Sequence, residues 1–233
     1  MAYRFMIPDT DADADADIDP LHDTNHDLKE LDVSRGRRLR ELSGLRGCKS
    51  LTSLNIDRCF NLENLDGIEE LEVLERLQAA KCDRIIHLCT LKSIVYLDLS
   101  CDYSLKDISL LSKSRLLSEL NLNDNLIEDI SPLRRCSNLT RLSCAHNRML
   151  VDVSPLAACT SLMDLNLSGC LSIDVITGLE ECQSLSKLNL SDCLGLREVT
   201  CLAHAPSLHR VNLRGCDNLS EHLVDLDGCT WIR

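Results

Sequence analysis

Aromatic side chains are scarce in this chain of 233 residues, which has two Phe, three Tyr and one Trp. Glycine and proline are also few, with nine and five residues. A chain of this length buries a sizeable core, and that core must be aliphatic because so few aromatic residues are available to fill it. Leucine, which occurs 46 times, and cysteine, which occurs 14 times, are the residues abundant enough to build it.

Long apolar runs are absent as well. No segment approaches the ~20 consecutive apolar residues of a membrane-spanning helix, and the first ten residues lead into aspartates instead of the apolar core of a signal peptide. Disulfide frameworks belong to short secreted chains without a large core. The 14 cysteines therefore indicate a reducing compartment, and the sequence predicts an intracellular, cytoplasmic protein that contacts no membrane.

Basic residues are fewer than acidic ones: the chain has 25 Lys and Arg and 37 Asp and Glu, which gives a net charge of −12. Residues 1–32 hold ten of the acids and two of the bases. The aspartates from Asp9 to Asp17 alternate like a calcium loop, but the glycine and glutamate that such a loop requires are missing from every register. We predict that residues 1–27 form an acidic, Asp/Ala-rich, disordered tail. The acidic balance argues against a nucleic-acid partner.

A repeated pattern, Leu-x-x-Leu-x-Leu, organises residues 28–233. Nine units open at Leu28, Leu51, Leu74, Ile94, Leu117, Leu139, Leu162, Leu185 and Leu208. Their spacings are 23, 23, 20, 23, 22, 23, 23 and 23 residues, so one unit is three residues short, between Cys82 and Ile94. Cys229 and Ile232 match the opening of an incomplete tenth unit. Below, positions in a unit are counted from its opening residue.

Each unit contains one predicted strand and one return segment. Apolar residues at the fourth and sixth positions alternate with polar ones, and a period of two predicts a short strand. In two returns, Ser131-Pro132 and Ser154-Pro155 place serine as a helix N-cap and proline at the first helical position, which predicts a short 3₁₀ or α turn.

The segment from Leu117 to Cys136, with Asn125, Asp129 and Ile130, resembles the short leucine-rich repeats of bacterial internalins and phosphatase-regulatory proteins. The units with Cys170, Cys193 and Cys216 also resemble the cysteine-containing repeats of ubiquitin-ligase adaptors. The resemblance implies an α/β repeat fold, a curved, right-handed leucine-rich repeat solenoid. In that fold about nine strands form a concave parallel sheet, and short 3₁₀ or loop returns form the convex side.

The cysteines form two periodic series, which favours a structural role over metal binding. One occupies the ninth position: Cys59, Cys82, Cys170, Cys193 and Cys216. The other precedes a unit opening by three residues: Cys48, Cys136, Cys159, Cys182 and Cys229. No Cys-x-x-Cys and no paired histidines accompany them, so we predict no metal site. Cys101 lies outside both series and is the candidate for a reactive thiol.

The polar side chains that alternate with the core leucines are the default binding surface of such a solenoid. We expect a partner to contact Arg76, Tyr96, Asp98, Glu119, Asp124, Arg141, Asp164, Lys187 and Arg210. Because interface hot spots favour tyrosine and arginine, Tyr96, Arg76 and Arg141 come first. For any single one of these residues, an ordinary solvated position is the other interpretation.

No phosphate-binding loop, dinucleotide fingerprint or Gly-x-Ser-x-Gly occurs, so we predict no catalytic residues and no cofactor. The sequence indicates a non-catalytic module that binds one or more intracellular proteins. The alternative is a structural subunit of a cytoskeletal or ribonucleoprotein assembly. At the C-terminal end two interpretations stay open: Trp231 and the segment from Leu219 to Leu226 fold over the last coil, or a partner covers it.

Overall fold

The computed structural model describes the backbone of residues 4–6 together with residues 27–220 and 229–232. In this part of the chain eleven strands form one sheet in which all neighbours are parallel and strand order follows chain order. The strands are β1 (Arg4–Met6), β2 (Glu30–Asp32), β3 (Ser53–Asn55), β4 (Arg76–Gln78), β5 (Tyr96–Asp98), β6 (Glu119–Asn121), β7 (Arg141–Ser143), β8 (Asp164–Asn166), β9 (Lys187–Asn189), β10 (Arg210–Asn212) and β11 (Thr230–Ile232).

Strands β2–β10 are the nine predicted strands, and each covers the third to fifth positions of its unit. Identical positions of successive units pair, so Leu97 lies opposite Leu120 and Leu120 opposite Leu142. Period-two geometry turns the middle residue of each strand toward the core and the other two away from it. The predicted solenoid with a parallel sheet is therefore confirmed.

The core is one continuous cluster of aliphatic side chains and thiols between the sheet and the returns. In the unit that opens at Leu117, the side chains of Leu117, Leu120 and Leu122 are at most 3% exposed. The same positions of neighbouring units stack on them, so each coil buries its apolar face against the coils on either side. This repetition explains why leucine dominates the composition.

Six returns contain a 3₁₀ turn: Ser43–Gly47, Ser109–Lys113, Ser131–Arg135, Ser154–Ala158, Leu179–Glu181 and Thr200–His204. The two Ser-Pro turns lie where the sequence predicts them, but serine is not their N-cap. Ile130 occupies that position without a side-chain hydrogen bond. The backbone N–H of Ser131 donates instead to Asp129 Oδ1 at 2.7 Å, and its hydroxyl donates to Asp129 Oδ2 at 2.8 Å.

Two strands extend the sheet beyond the predicted nine. The first, β1, pairs with β2 and lies inside residues 1–27, which the sequence assigns to the acidic tail. The predicted disorder covers residues 1–27, of which residues 1–3 and 7–26 lie outside the described part of the chain.

The last strand, β11, places Trp231 opposite Val211 and Ile232 opposite Asn212. Trp231, and not Ile232, thus takes the core-facing position, so the register of the tenth unit differs from the match made on Cys229 and Ile232. Trp231 is partly buried against the core cluster. The segment from Leu219 to Leu226, expected to cover the last coil, falls mostly outside the described residues. Within the described ranges no helix has the length and apolar character needed to cross a membrane.

Candidate functional site

The first and third residues of β2–β10 point away from the core and form a polar surface, here called the open face. Its first row, contributed by the first residue of each strand, is Glu30, Ser53, Arg76, Tyr96, Glu119, Arg141, Asp164, Lys187 and Arg210. Its second row, contributed by the third residue, is Asp32, Asn55, Gln78, Asp98, Asn121, Ser143, Asn166, Asn189 and Asn212.

The structure places all nine predicted binding residues on or beside this face. Seven of them occupy consecutive positions of the first row across β4–β10: Arg76, Tyr96, Glu119, Arg141, Asp164, Lys187 and Arg210. Asp98 lies in the second row on the same strand as Tyr96, and Asp124 follows β6 in a turn with φ 56°.

The aromatic part of the first row is a stacked pair. The guanidinium carbon of Arg76 lies 3.7 Å from the ring centroid of Tyr96, which is a close cation–π contact. Burial, followed by the nearby carboxylate of Asp98, raises the pKa of Tyr96, so its hydroxyl remains neutral at physiological pH. The stacked pair presents an ordered, amphipathic anchor in the middle of the face.

The neighbouring part of the first row is an ion pair. Arg141 Nη1 lies 2.7 Å from Glu119 Oε1, and both side chains are substantially exposed. Such exposed pairs contribute at most about 1 kcal/mol to stability. Glu119 and Arg141 can therefore separate to meet charges on a partner at little cost. Asp164 and Lys187 continue the alternation of sign along the row.

The second row has an internal role that the sequence does not reveal. Its side-chain oxygens accept the backbone N–H two residues further on: Asn55 Oδ1 from Asp57 at 3.0 Å, and Asp98 Oδ1 from Ser100 at 2.9 Å. Asp98 Oδ2 also accepts a hydrogen bond from Asn121 Nδ2 at 3.2 Å. Bonds of this kind close the ends of seven of the nine strands, so the second row has less capacity for a partner than the first.

The eighth position of all nine units is a turn with left-handed backbone. Its residues, with φ between 56° and 75°, are Arg35, Arg58, Lys81, Cys101, Asp124, His146, Gly169, Asp192 and Gly215. This left-handed conformation is a feature that the repeat pattern alone did not predict. The signal was present, because Gly169 and Gly215 share one position of the repeat and glycine is the residue that adopts positive φ without strain.

Three solved structures share this arrangement of coils. Internalin C2 from Listeria monocytogenes has 24% identity, with 76% of this chain and 81% of that chain covered and a TM-score of 0.59. The leucine-rich repeat domain of the type III effector XopL has 19% identity, with coverages of 89% and 69% and a TM-score of 0.60. The chain has the leucine-rich repeat fold.

A third structure of this leucine-rich repeat type, an internalin (InlF) from Listeria monocytogenes, is 14% identical, with 86% of this chain and 82% of that chain covered and a TM-score of 0.52. The predicted resemblance to internalins is thus confirmed for the fold. No protein-family model and no curated protein matches the chain.

From the second leucine-rich repeat on, the ninth position carries a buried side chain that hydrogen-bonds the preceding coil, and we call this series the ninth-position ladder. Cys193 Sγ donates to the carbonyl of Leu167 at 3.1 Å, and Asn147 Nδ2 to that of Leu122 at 2.9 Å. Three members of the second cysteine series, Cys136, Cys159 and Cys182, do the same on the return side. Cys159 Sγ, for example, donates to the carbonyl of Leu133 at 3.4 Å. The two series are structural, as the sequence predicts.

All 14 thiols are free. Burial raises the pKa of Cys193 to about 12 and that of Cys59 to about 11, so these thiols are inert. Cys101 is half-buried, with its Sγ 3.7 Å from Asp124 Oδ2, and burial together with this carboxylate raises its pKa too. Cys101 is accessible but disfavours the thiolate. Among the described residues no three His, Cys, Asp or Glu side chains are grouped as metal ligands.

A depression of about 540 Å³ lies where the returns end and the next units open, beside the unit that is three residues short. It is lined by Lys92, Ser112, Lys113, Arg115 and Arg135. Its walls are mostly exposed, cationic side chains, so it lacks the apolar lining that holds small molecules in most binding sites.

Proposed function

We propose that this leucine-rich repeat protein is a non-catalytic interaction module that binds an intracellular protein on the open face of its sheet. The observation that carries the proposal is the first row from Arg76 to Arg210, in which charged and aromatic side chains follow one another in register across seven strands. At ~4.8 Å per strand the row spans roughly 29 Å, which is the dimension of a protein–protein contact and not of a small ligand.

The chemistry of the row supports a protein partner. Arginine and tyrosine are enriched among interface hot spots, and Arg76 and Tyr96 are already stacked on one another, which reduces the entropy that binding must remove. The alternating signs of Glu119, Arg141 and Asp164 suit a partner with its own alternating charges. A polyanion such as nucleic acid requires a continuous positive surface, which this row does not offer.

The free thiols support an intracellular partner. Fourteen unpaired cysteines, most of them buried in the core, persist where thiols are kept reduced. Sub-stoichiometric, salt-sensitive partners fit the interaction module. Permanent co-fractionation with a large particle would instead favour a structural subunit of an assembly.

Cross-linking mass spectrometry in native extract tests the proposal. The double variant Tyr96→Ala, Arg141→Ala removes two hot-spot candidates from the open face, and we expect recovery of the cross-linked partner to fall about tenfold or more. The control variant Arg134→Ala, Val151→Ala changes two exposed side chains on the returns, where recovery is expected to stay unchanged. Equal recovery with both variants would refute the assignment to the open face.

A further inference from the structure

The left-handed turn at the eighth position carries different residues at the two ends of the solenoid. In the first three units it holds Arg35, Arg58 and Lys81, with φ of 63°, 62° and 61°. We call these three residues the basic row. From the fifth unit on, the same turn holds Asp124, His146, Gly169, Asp192 and Gly215.

The basic row combines two unfavourable features. Left-handed backbone disfavours residues with a Cβ, and Asp, His and above all Gly tolerate it better than Lys or Arg. Side chains at one repeat position also lie a strand spacing apart, ~4.8 Å at the backbone, where like charges repel. Three successive units keep this arrangement, although the glycines elsewhere show that the fold has an unstrained solution. Backbone strain retained in this way indicates a functional constraint.

The charge of the basic row is not neutralised by ion pairing within the described residues. Arg141, Lys49 and Arg84 each lie within 4 Å of a carboxylate, whereas the three basic-row side chains have no such partner there and are exposed to solvent. The adjacent carboxylate of Asp57 is half-buried and accepts the backbone N–H of Ala80 at 2.8 Å. The row therefore presents three cations to solvent along one edge of the open face.

We propose that the basic row binds an acidic segment of the protein partner. This inference rests on the proposed function and names the partner chemistry at its N-terminal end. Discrete carboxylates on a peptide can meet three cations while avoiding Asp32, Asp57 and Asp98, which lie beside the row. A nucleic acid cannot avoid them, and Tyr96, the one aromatic side chain on the open face, is already stacked with Arg76, so stacking of bases has no platform.

The test uses fluorescently labelled octaglutamate as the probe and anisotropy as the readout. The triple variant Arg35→Gly, Arg58→Gly, Lys81→Gly removes the charges at positions where glycine relieves backbone strain, so loss of folding does not confuse the result. We expect the dissociation constant to rise about tenfold and the melting temperature to stay equal or increase. Binding to the wild type is expected to weaken as NaCl is raised through 0.5 M.

The control is the same change at the same turn in other units, Cys101→Gly, His146→Gly, Asp192→Gly. Its octaglutamate affinity is expected to match the wild type. Failure of octaglutamate to bind the wild type, or an equal loss in both triple variants, would overturn the basic-row assignment. A ten-nucleotide single-stranded RNA that binds more tightly than octaglutamate, and loses affinity in the basic-row variant, would overturn the choice of an acidic protein segment.

The two proposals fail in different ways. The first outcome is that the basic-row variant binds octaglutamate as tightly as the wild type, while the Tyr96→Ala, Arg141→Ala variant still loses its cross-linked partner. In that case the acidic-segment inference is wrong and the proposed function stands. If the partner cross-links are unaffected by that variant, the proposed function is wrong whatever octaglutamate does.

Discussion

The ninth-position ladder is built differently in the middle of the solenoid and toward its ends. In the middle, Asn147 makes four side-chain hydrogen bonds. Its amide nitrogen donates to the carbonyl of Leu122 and, within its own unit, to the carbonyls of Cys144 and Ala145. Its Oδ1 accepts the backbone N–H of Ile127 at 3.0 Å. In a later unit, Cys193 makes one side-chain tie, to the carbonyl of Leu167. The backbone turn before them is left-handed in both cases.

The difference shows what the fold requires of this position. The donor to the preceding carbonyl is common to Asn and Cys, so it is the contact that seven of the nine units share. Asparagine also has an amide oxygen that accepts a second hydrogen bond. Cysteine lacks this acceptor, and its polarizable thiol makes apolar contacts with the core instead. Asp102 holds the same position in the unit that follows the short one, and as a carboxylate it lacks a donor altogether.

The largest loss of stability is expected when the side-chain amide of Asn147, in the middle of the ninth-position ladder, is removed. The change Asn147→Leu keeps the volume but leaves the buried N–H of Ile127 without its partner, which costs about 1–3 kcal/mol. It also removes the bond to the carbonyl of Leu122, which keeps a second bond, from Asn125 Nδ2. We expect a loss of about 4 kcal/mol in the free energy of unfolding, measured in urea. The control Asn138→Leu removes one exposed bond, to the carbonyl of Arg115, and should cost under ~1 kcal/mol. Similar losses in both variants would contradict the special role of the ladder.

Asp102 offers the next largest effect, because its carboxyl is fully buried and its Oδ2 has no hydrogen-bond partner. Burial, then repulsion from Asp83, Asp98 and Asp57, raises its pKa to about 8, although the bond from the backbone N–H of Cys82 at 2.7 Å acts against this. The folded protein at pH 7 therefore holds Asp102 mostly protonated. A protonated carboxyl is uncharged, like the asparagine side chains at the same position of the next two units, but its Oδ2 makes no hydrogen bond to the preceding coil.

The pH dependence of Asp102→Asn follows from this protonation. Below pH ~4 the carboxyl is protonated in both folded and unfolded chains, so it adds no pH dependence there. Between pH 4 and pH 8 the unfolded chain releases the proton while the folded chain keeps it, so the wild type loses stability as pH rises through this window.

We expect the advantage of Asp102→Asn over the wild type to grow from pH 4 to pH 8 and to reach several kcal/mol, since each unit by which the pKa is raised in the folded chain corresponds to ~1.4 kcal/mol. Urea unfolding of both chains across this pH range measures it. All other titratable groups are shared, so the difference between the two curves isolates Asp102. A constant difference would show that the carboxyl titrates normally.

The smallest effect is expected for the thiols. Cys193→Ala removes one weak donor and a small buried volume, which costs about 1.5 kcal/mol. Cys101→Ala, outside both cysteine series and half-buried, should cost under ~0.5 kcal/mol. Equal melting temperatures for these two variants would mean that the buried thiol of the ninth-position ladder adds no more stability than the half-buried thiol of Cys101.

The sequence was sufficient for the nine central strands because alternation of leucine with polar residues is a local signal that repeats in register. It also separated the two cysteine series, since periodicity is visible without coordinates. The serine caps were predicted wrongly because the 3₁₀ turn begins one residue earlier than expected, with Ile130 at the N-cap, and the hydroxyl of Ser131 donates to Asp129 instead of accepting a backbone N–H of the turn. Strand β1 was missed because Arg4–Met6 lacks the leucine pattern of the other strands.

The binding face could be predicted as a set of residues but not as a set of contacts. Register alone places Arg76 beside Tyr96 and Glu119 beside Arg141, yet cation–π stacking in one pair and an ion pair in the other depend on side-chain rotamers. The internal bonds of Asp98 and Asn55 likewise depend on strand ends that turn sharply. The raised pKa of Asp102 depends on burial of a single residue, which the acidic composition of the chain conceals.

The strict agreement between strand order and chain order has a kinetic consequence. Almost every contact between coils joins residues about 23 positions apart, roughly a tenth of the chain length, which is the relative contact order of helical bundles although the protein is built on a β-sheet. We expect folding to start in an interior coil and to spread outward like a zipper in both directions. Adding or deleting a whole unit would then change the length of the zipper without changing how it closes.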